Sequence, residues 1–381
     1  MEKVINLGIP HVGENIFENI DTPGLMKCAL VSKTWETLAY NVLLKKWKGR
    51  LIQACESGYV VVVRLLLENL ESTELNARDS NGKTAFMTAC IIGHKKVVNL
   101  ILDHSLDRNI DLNARWRSGL TLTAFMEACK SGRTEVVKLI MDHSNRNIDL
   151  NATDENGLTA FMNACRSGHK DVVKLLLDHS NRNIDLNARC RSGLTAFIEA
   201  CKSGRTEVVK LILDHSNRNI DLNATDENGL TAFMNACRSG HKDVVKLLLD
   251  RSSDRNIDLN ARDHMGRTGF MLACTNLYYN NIVQLILSHS TSSIDLNARD
   301  DNGLTGFLHG CRSGHTEVVK LLLNYSNRIN MNARCRSGLT AFMEACKSGR
   351  TEVVKLILDH PNITIDLNVR DNSGLTAFMH A

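Results

Sequence analysis

Apolar residues recur along most of the chain in paired short runs. In one such pair Ala160, Phe161, Ala164 and Cys165 occupy positions i, i+1, i+4 and i+5, one face of a short helix. Beyond Ser167-Gly168, the residues Val172, Val173, Leu175, Leu176 and Leu177 surround most of a second helix, the pattern expected of a helix held between neighbours. Thr159 stands just ahead of the first helix, where its hydroxyl is placed to accept from orphan backbone N–H groups. Neither helix is long enough to persist alone. Its burial must come from outside the pair.

Repetition supplies that burial. The segment Thr153 to Asp178 (TDENGLTAFMNACRSGHKDVVKLLLD) recurs without change at Thr225 to Asp250, which implies recent duplication. Related copies carry turn glycines at Gly82, Gly119, Gly157, Gly193, Gly229, Gly266, Gly303, Gly338 and Gly374, at intervals of 35 to 38 residues. A degenerate first copy runs from Leu51 to Leu70. Each copy reads as a turn of D-x-x-G or R-x-R-S-G type, two helices and a connector. Stacking copy on copy predicts an all-α solenoid with no central core. The last copy, Gly374 to Ala381, stops within its first helix and leaves Phe378 and Met379 without a partner helix.

The unit D-x-x-G-x-T-A-F-M-x-A-C-x-S-G-H-x-x-V-V-K-L-L-L, closing on I-D-L-N-A, resembles the ankyrin repeat over Leu51 to Ala381. The resemblance implies an ankyrin α-solenoid of about nine helix pairs spanning 47–381, whose concave face contacts protein partners. Two departures stand out. A-F-M replaces the family's P-L-H, so the helix start lacks its proline and its turn-bonding histidine. The connector His179 to Asn183 is longer than the family's by about three residues.

Composition narrows the function. Of 381 residues 43% are hydrophobic and 23% charged, a folded chain, and three prolines argue against a Pro-rich linker. A net charge of +4 gives no reason by itself to expect nucleic acid or an anionic membrane. No apolar stretch is long enough to span a bilayer, and Met1 to Pro10 lacks the features of a secretory signal, so a cytoplasmic or nuclear location is expected. No phosphate loop, nucleophile triad or isolated carboxylate pair is present, so neither catalysis nor a cofactor is expected.

Nine of the twelve cysteines (Cys55, Cys90, Cys129, Cys165, Cys201, Cys237, Cys274, Cys311 and Cys346) share one helical position. Stacked helices at ~8–10 Å hold them too far apart for disulfides, so they read as buried hydrophobes, with no metal site. Cys190 and Cys335 lie on turns where other copies carry Asp and are expected to be exposed thiols. The histidines ending second helices, His143 and His289 among them, suit the helix dipole. Lys138, Lys174, Lys210, Lys246, Lys320 and Lys355 read as a solvated outer face.

Candidate recognition residues lie on the turns. Arginines precede them at Arg78, Arg115, Arg189, Arg262, Arg299, Arg334 and Arg370. Basic tips (Arg115-Trp116-Arg117, Arg189-Cys190-Arg191, Arg334-Cys335-Arg336) alternate in part with acidic ones carrying Glu155 and Glu227. Two readings stand side by side: turns neutralising one another, or a charged groove for a protein substrate. Trp116 is the candidate anchor, because an exposed tryptophan gains little unless something packs on it. Tyr278 and Tyr279, where the usual S-G-H linkage is replaced, are either a contact patch or a bend. The interleaved acidic turns argue against nucleic acid.

Residues 1–46 differ in kind. Ile9-Pro10, Glu14, Ile16-Phe17, Ile20-Asp21, Leu25, Leu30-Val31, Trp35 and Leu38-Ala39 resemble an F-box. That resemblance implies a helical segment docking the Skp-type adaptor of a cullin–RING ubiquitin ligase, with Pro10, Ile16, Phe17, Leu25, Leu30, Val31 and Trp35 forming or supporting the face. The chain would then be a non-catalytic substrate receptor, monomeric apart from the ligase complex. The alternative is a plain ankyrin scaffold or inhibitor with residues 1–46 as its N-terminal cap. A face exposed in the isolated chain favours the first reading, and one buried on the first repeat favours the second.

Overall fold

The computed structural model describes residues 15–105, 107–116, 122–143, 148–178, 184–215, 219–276, 279–289, 293–361 and 366–381. Among these residues the regular elements are helices, with one isolated antiparallel bridge between Trp116 and Leu122. They fall into two compact units, one within Met1–Ala164 and Asp178–Ile184, the other within Cys165–Leu177 and Asp185–Ala381. Each unit is an α-solenoid stack.

In the first unit, α1 (Thr22–Cys28) starts at Asp21, whose carboxylate accepts from Gly24 N at 2.9 Å, with Pro23 in its first turn. The longer α2 (Lys33–Trp47) starts at Ser32, which accepts from Trp35 N at 3.4 Å. The two are tied at the far end: Lys46 Nζ donates to Ile20 O at 2.8 Å, and Trp47 Nε1 to Thr22 Oγ1 at 3.2 Å. α2 also packs on Val60–Asn69, the second helix of the first repeat, and buries Leu38, Ala39, Val42 and Leu43. The solenoid's first layer is therefore laid by the segment that precedes the repeats.

The repeats obey one local rule. From Thr84 to Thr340 the threonine before each first helix accepts from the backbone N–H three residues on: Thr84 from Met87 at 3.3 Å, Thr231 from Met234 at 3.3 Å, Thr340 from Met343 at 3.4 Å. This cap does the work that a proline at the helix start would otherwise share. First helices stack on first helices and second on second, as in Ala232–Ser239 on Gly269–Cys274 and Lys242–Asp250 on Asn280–Ser288. Phe233, Phe270 and Phe307 are buried between layers, as are the ladder cysteines except the half-buried Cys346. Burial raises the Cys55 thiol to about 12 and pushes the deeper ones higher still.

Three rows of polar bonds tie successive repeats. In the connectors, Asn260 Nδ2 donates to Ser293 O at 2.8 Å while its Oδ1 accepts from Asp295 N at 2.8 Å. Asn76, Asn187, Asn223 and Asn297 make the same pair of bonds to their next connectors. At the junction of the two helices a side chain reaches back to the carbonyl closing the preceding first helix. Arg205 Nε donates to Arg166 O at 2.9 Å, and His241 Nε2 bonds Lys202 O at 2.9 Å. Histidine and arginine are interchangeable there because one ring or guanidinium nitrogen suffices. The third row belongs to the turns.

Candidate partner-binding face

The turns have a repeating internal architecture. In the acidic type, Asp226 Oδ1 accepts from Asn228 N and Leu230 N, both at 2.9 Å, and closes the loop. Its second oxygen meets the residue nine positions on, in the first helix: Asn235 Nδ2 at 3.2 Å. Asp300 pairs with His309 Nε2 at 2.9 Å, and Asp371 with His380 Nε2 at 2.8 Å. In the R-C-R-S-G type cysteine replaces the aspartate, and the residue nine on is glutamate. Cys335 Sγ lies 3.0 Å from Ser337 Oγ and 3.9 Å from Glu344 Oε1. A carboxylate therefore sits on either the turn or the helix.

This arrangement buries Cys190 and Cys335, against the expectation of exposed thiols. The turn folds its second residue inward over the first helix, so aspartate and cysteine alike are covered there. It also buries Glu127, Glu199 and Glu344. Burial holds the carboxyls of Glu127 and Glu199 above the usual carboxylate range, opposed by Lys130 and Lys83 in one case and by Arg166 and Lys202 in the other. Arg166 Nε stands 3.9 Å from Glu199, and Arg312 Nε 3.9 Å from Glu344.

The arginines before the turns form the third row of bonds. Arg115 Nη1 donates to Thr153 O at 3.1 Å. Arg189 donates to Thr225 O, and Arg334 bonds Arg370 O in the next copy and Gly338 O at 2.8 Å in its own. Their guanidinium groups are exposed but engaged in holding the next turn. Where Thr153 and Thr225 replace arginine, the position only accepts.

Trp116 is half-buried, with Lys83 Nζ 4.4 Å from its ring centre and its backbone bonded to Leu122 O at 3.0 Å. The free anchor expected from sequence is already covered on one face by a cation. Tyr279, half-buried, takes the junction position that histidine or arginine fills elsewhere. Its ring lies so close to left-handed Gly240 (φ 83°) that a Cβ there would come within 2.3 Å. Arg191, Arg336, Glu155 and Glu227 are exposed tips. Arg336, Arg312 and Lys347 line one open cleft with Glu344. Pro10, Arg117 and Tyr278 lie outside the described residues.

Within α1, α2 and their flanks, the named residues divide. Phe17 and Leu25 are fully buried, and Phe17 packs edge-on against Trp35 with ring centres 5.5 Å apart. Ile16, Leu30 and Val31 face outward, at 37%, 86% and 57% exposure. Phe17 and Leu25 thus support this end of the chain from within, and only the other three offer apolar surface.

Stacked helix pairs with buried seams and a polar face of turns define a helical-repeat scaffold for protein interaction. The family model described as Ankyrin repeats (3 copies) matches residues 51–154, 125–226, 180–263, 215–300 and 270–371. The chain belongs to the ankyrin-repeat family. No curated protein matches it. Among the described residues no helix is long and apolar enough to cross a membrane, and no three His, Cys, Asp or Glu gather as a metal site would need.

Proposed function

We propose that the chain is a substrate-recognition adaptor of a cullin–RING ubiquitin ligase, acting in cytosol or nucleus. Residues 1–46 dock the Skp-type adaptor, and the repeats hold a protein substrate. The observation that carries this reading is the exposure of Leu30 and Val31 between two capped helices, α1 and α2. Two adjacent large apolar residues in a short interhelical turn gain nothing in water, and a partner covering them recovers about 1.5–3 kcal/mol for each side chain. Phe17, packed on Trp35, and Leu25 are buried in the same segment. The protein contributes proximity and no chemistry of its own.

A second reading, in which residues 1–46 cap the repeats, is favoured by the packing of α2 on Val60–Asn69. Calorimetric titration of the full chain with the Skp-type adaptor separates the two. Leu30→Asp and Val31→Asp should weaken binding about tenfold or more while circular dichroism stays unchanged. Phe17→Ala is a poor control, since it removes a buried ring. A folded wild-type chain that does not bind the adaptor would leave the cap and a plain interaction scaffold.

A further inference from the structure

In the second unit the residue following each ladder cysteine is a cation with one exception. Arg166, Lys202, Arg238, Arg312 and Lys347 follow Cys165, Cys201, Cys237, Cys311 and Cys346, and Thr275 interrupts the series after Cys274. All five are exposed. Two buried carboxylates lie beside this row, Glu199 with Arg166 Nε at 3.9 Å and Glu344 with Arg312 Nε at 3.9 Å. The cleft lined by Arg312, Arg336 and Lys347 carries three cations and one carboxylate, Glu344, with Ser337 and Ser348 also in its lining. The exposed face of these first helices is therefore a row of positive charge, interrupted at Thr275, with the carboxylates of Glu199 and Glu344 buried beneath it.

Stacked helices stand ~8–10 Å apart, so the row offers about one cation per 10 Å. An extended polypeptide advances about 3.3 Å per residue, so side chains at about every third position fall in step with it. We propose that this face docks an extended acidic segment of the partner protein, with carboxylates at about every third residue meeting successive cations. Single-stranded nucleic acid fits less well. It is held by exposed aromatic rings on which bases stack, whereas Phe233, Phe270, Phe307 and Phe342 on these helices are buried. This rests on the repeats being the partner-holding part of the chain and is independent of adaptor docking.

The test is fluorescence anisotropy of the full chain with a labelled peptide bearing glutamate at every third position, beside its lysine counterpart and a thymidine oligonucleotide. The glutamate peptide should bind, weaken with salt, and lose about tenfold or more in affinity with Lys202→Glu, Arg238→Glu and Lys347→Glu combined. Lys174→Glu, Lys210→Glu and Lys246→Glu combined change the net charge equally on the second helices and should leave binding within about twofold. Equal loss in both triples, no binding of the glutamate peptide by wild type, or tighter binding of the oligonucleotide would each overturn the proposal. Adaptor titration of the first triple should be unchanged, so failure here is distinguishable from failure of the ligase reading.

Discussion

The backbone amide of Asp295 donates to the side-chain oxygen of Asn260, 35 residues earlier, at 2.8 Å. With the bond from Asn260 to Ser293 O, one short side chain fastens two connectors together. Asn260→Ala should destabilise the fold by about 1–2 kcal/mol, the net worth of two such bonds. Asn260→Asp keeps the acceptor and should lose about half as much. Urea denaturation checks both, and equal loss in the two variants would mean that the donor bond alone matters.

At the helix junctions the structure makes a sharper claim, that identity matters less than reach. Arg205→His should leave stability within about 0.5 kcal/mol of wild type, because His241 makes the equivalent bond one repeat later. Arg205→Ala should cost about 1 kcal/mol by orphaning Arg166 O at a helix end. Thermal melts of the two variants side by side decide it.

The buried glutamates set a pH dependence. For Glu127 and Glu199 the folded-state pKa lies above the ordinary 4.5, so the unfolded chain loses these protons first. Their contribution is fully present below about 4.5 and declines as pH rises through the folded-state values. Glu127→Gln with Glu199→Gln should therefore raise stability, relative to wild type, more at about pH 7.5 than at about pH 4. Urea midpoints at the two pH values measure the difference.

Thiol accessibility gives a fourth check. All cysteines but Cys28 and Cys346 are buried, and burial raises the Cys346 thiol above its ordinary value. Under native conditions a colorimetric disulfide reagent should react first at Cys28, and Cys28→Ser should remove that fast phase. Cys190→Ser and Cys335→Ser should leave it intact. A fast phase that follows Cys335 instead would mean that its turn opens in solution.

Much of the fold was legible in the sequence. The threonine caps, the cysteine ladder and the outward lysines follow from helical period and spacing, and they sit as expected apart from Cys346, which is only half-buried. Direction was harder to read. Arg189 and Arg334 look like recognition residues until the next copy is stacked in place, because their acceptors, Thr225 O and Arg370 O, lie 36 residues away. The connector asparagines hid in the same way, although their recurrence in copies whose turn tips vary was a usable signal. So was the pairing at nine residues: aspartate on the turn with Asn235, His309 or His380 on the helix, cysteine on the turn with Glu199 or Glu344. Exposure at Leu30 and burial at Phe17, both apolar, needed the geometry of α1 and α2.

The identical blocks Thr153–Asp178 and Thr225–Asp250 gain a meaning from the rows of bonds. Asparagine, the junction side chain and the turn carbonyl recur at matching places in these blocks, so both present the same plugs on one side and sockets on the other. A genetic exchange that inserts or removes one whole period would leave every plug facing a socket. What varies freely is the lettering on the turn tips and the exposed helix edge. The chain can thus change length and partner by swapping cassettes, without solving its folding problem again.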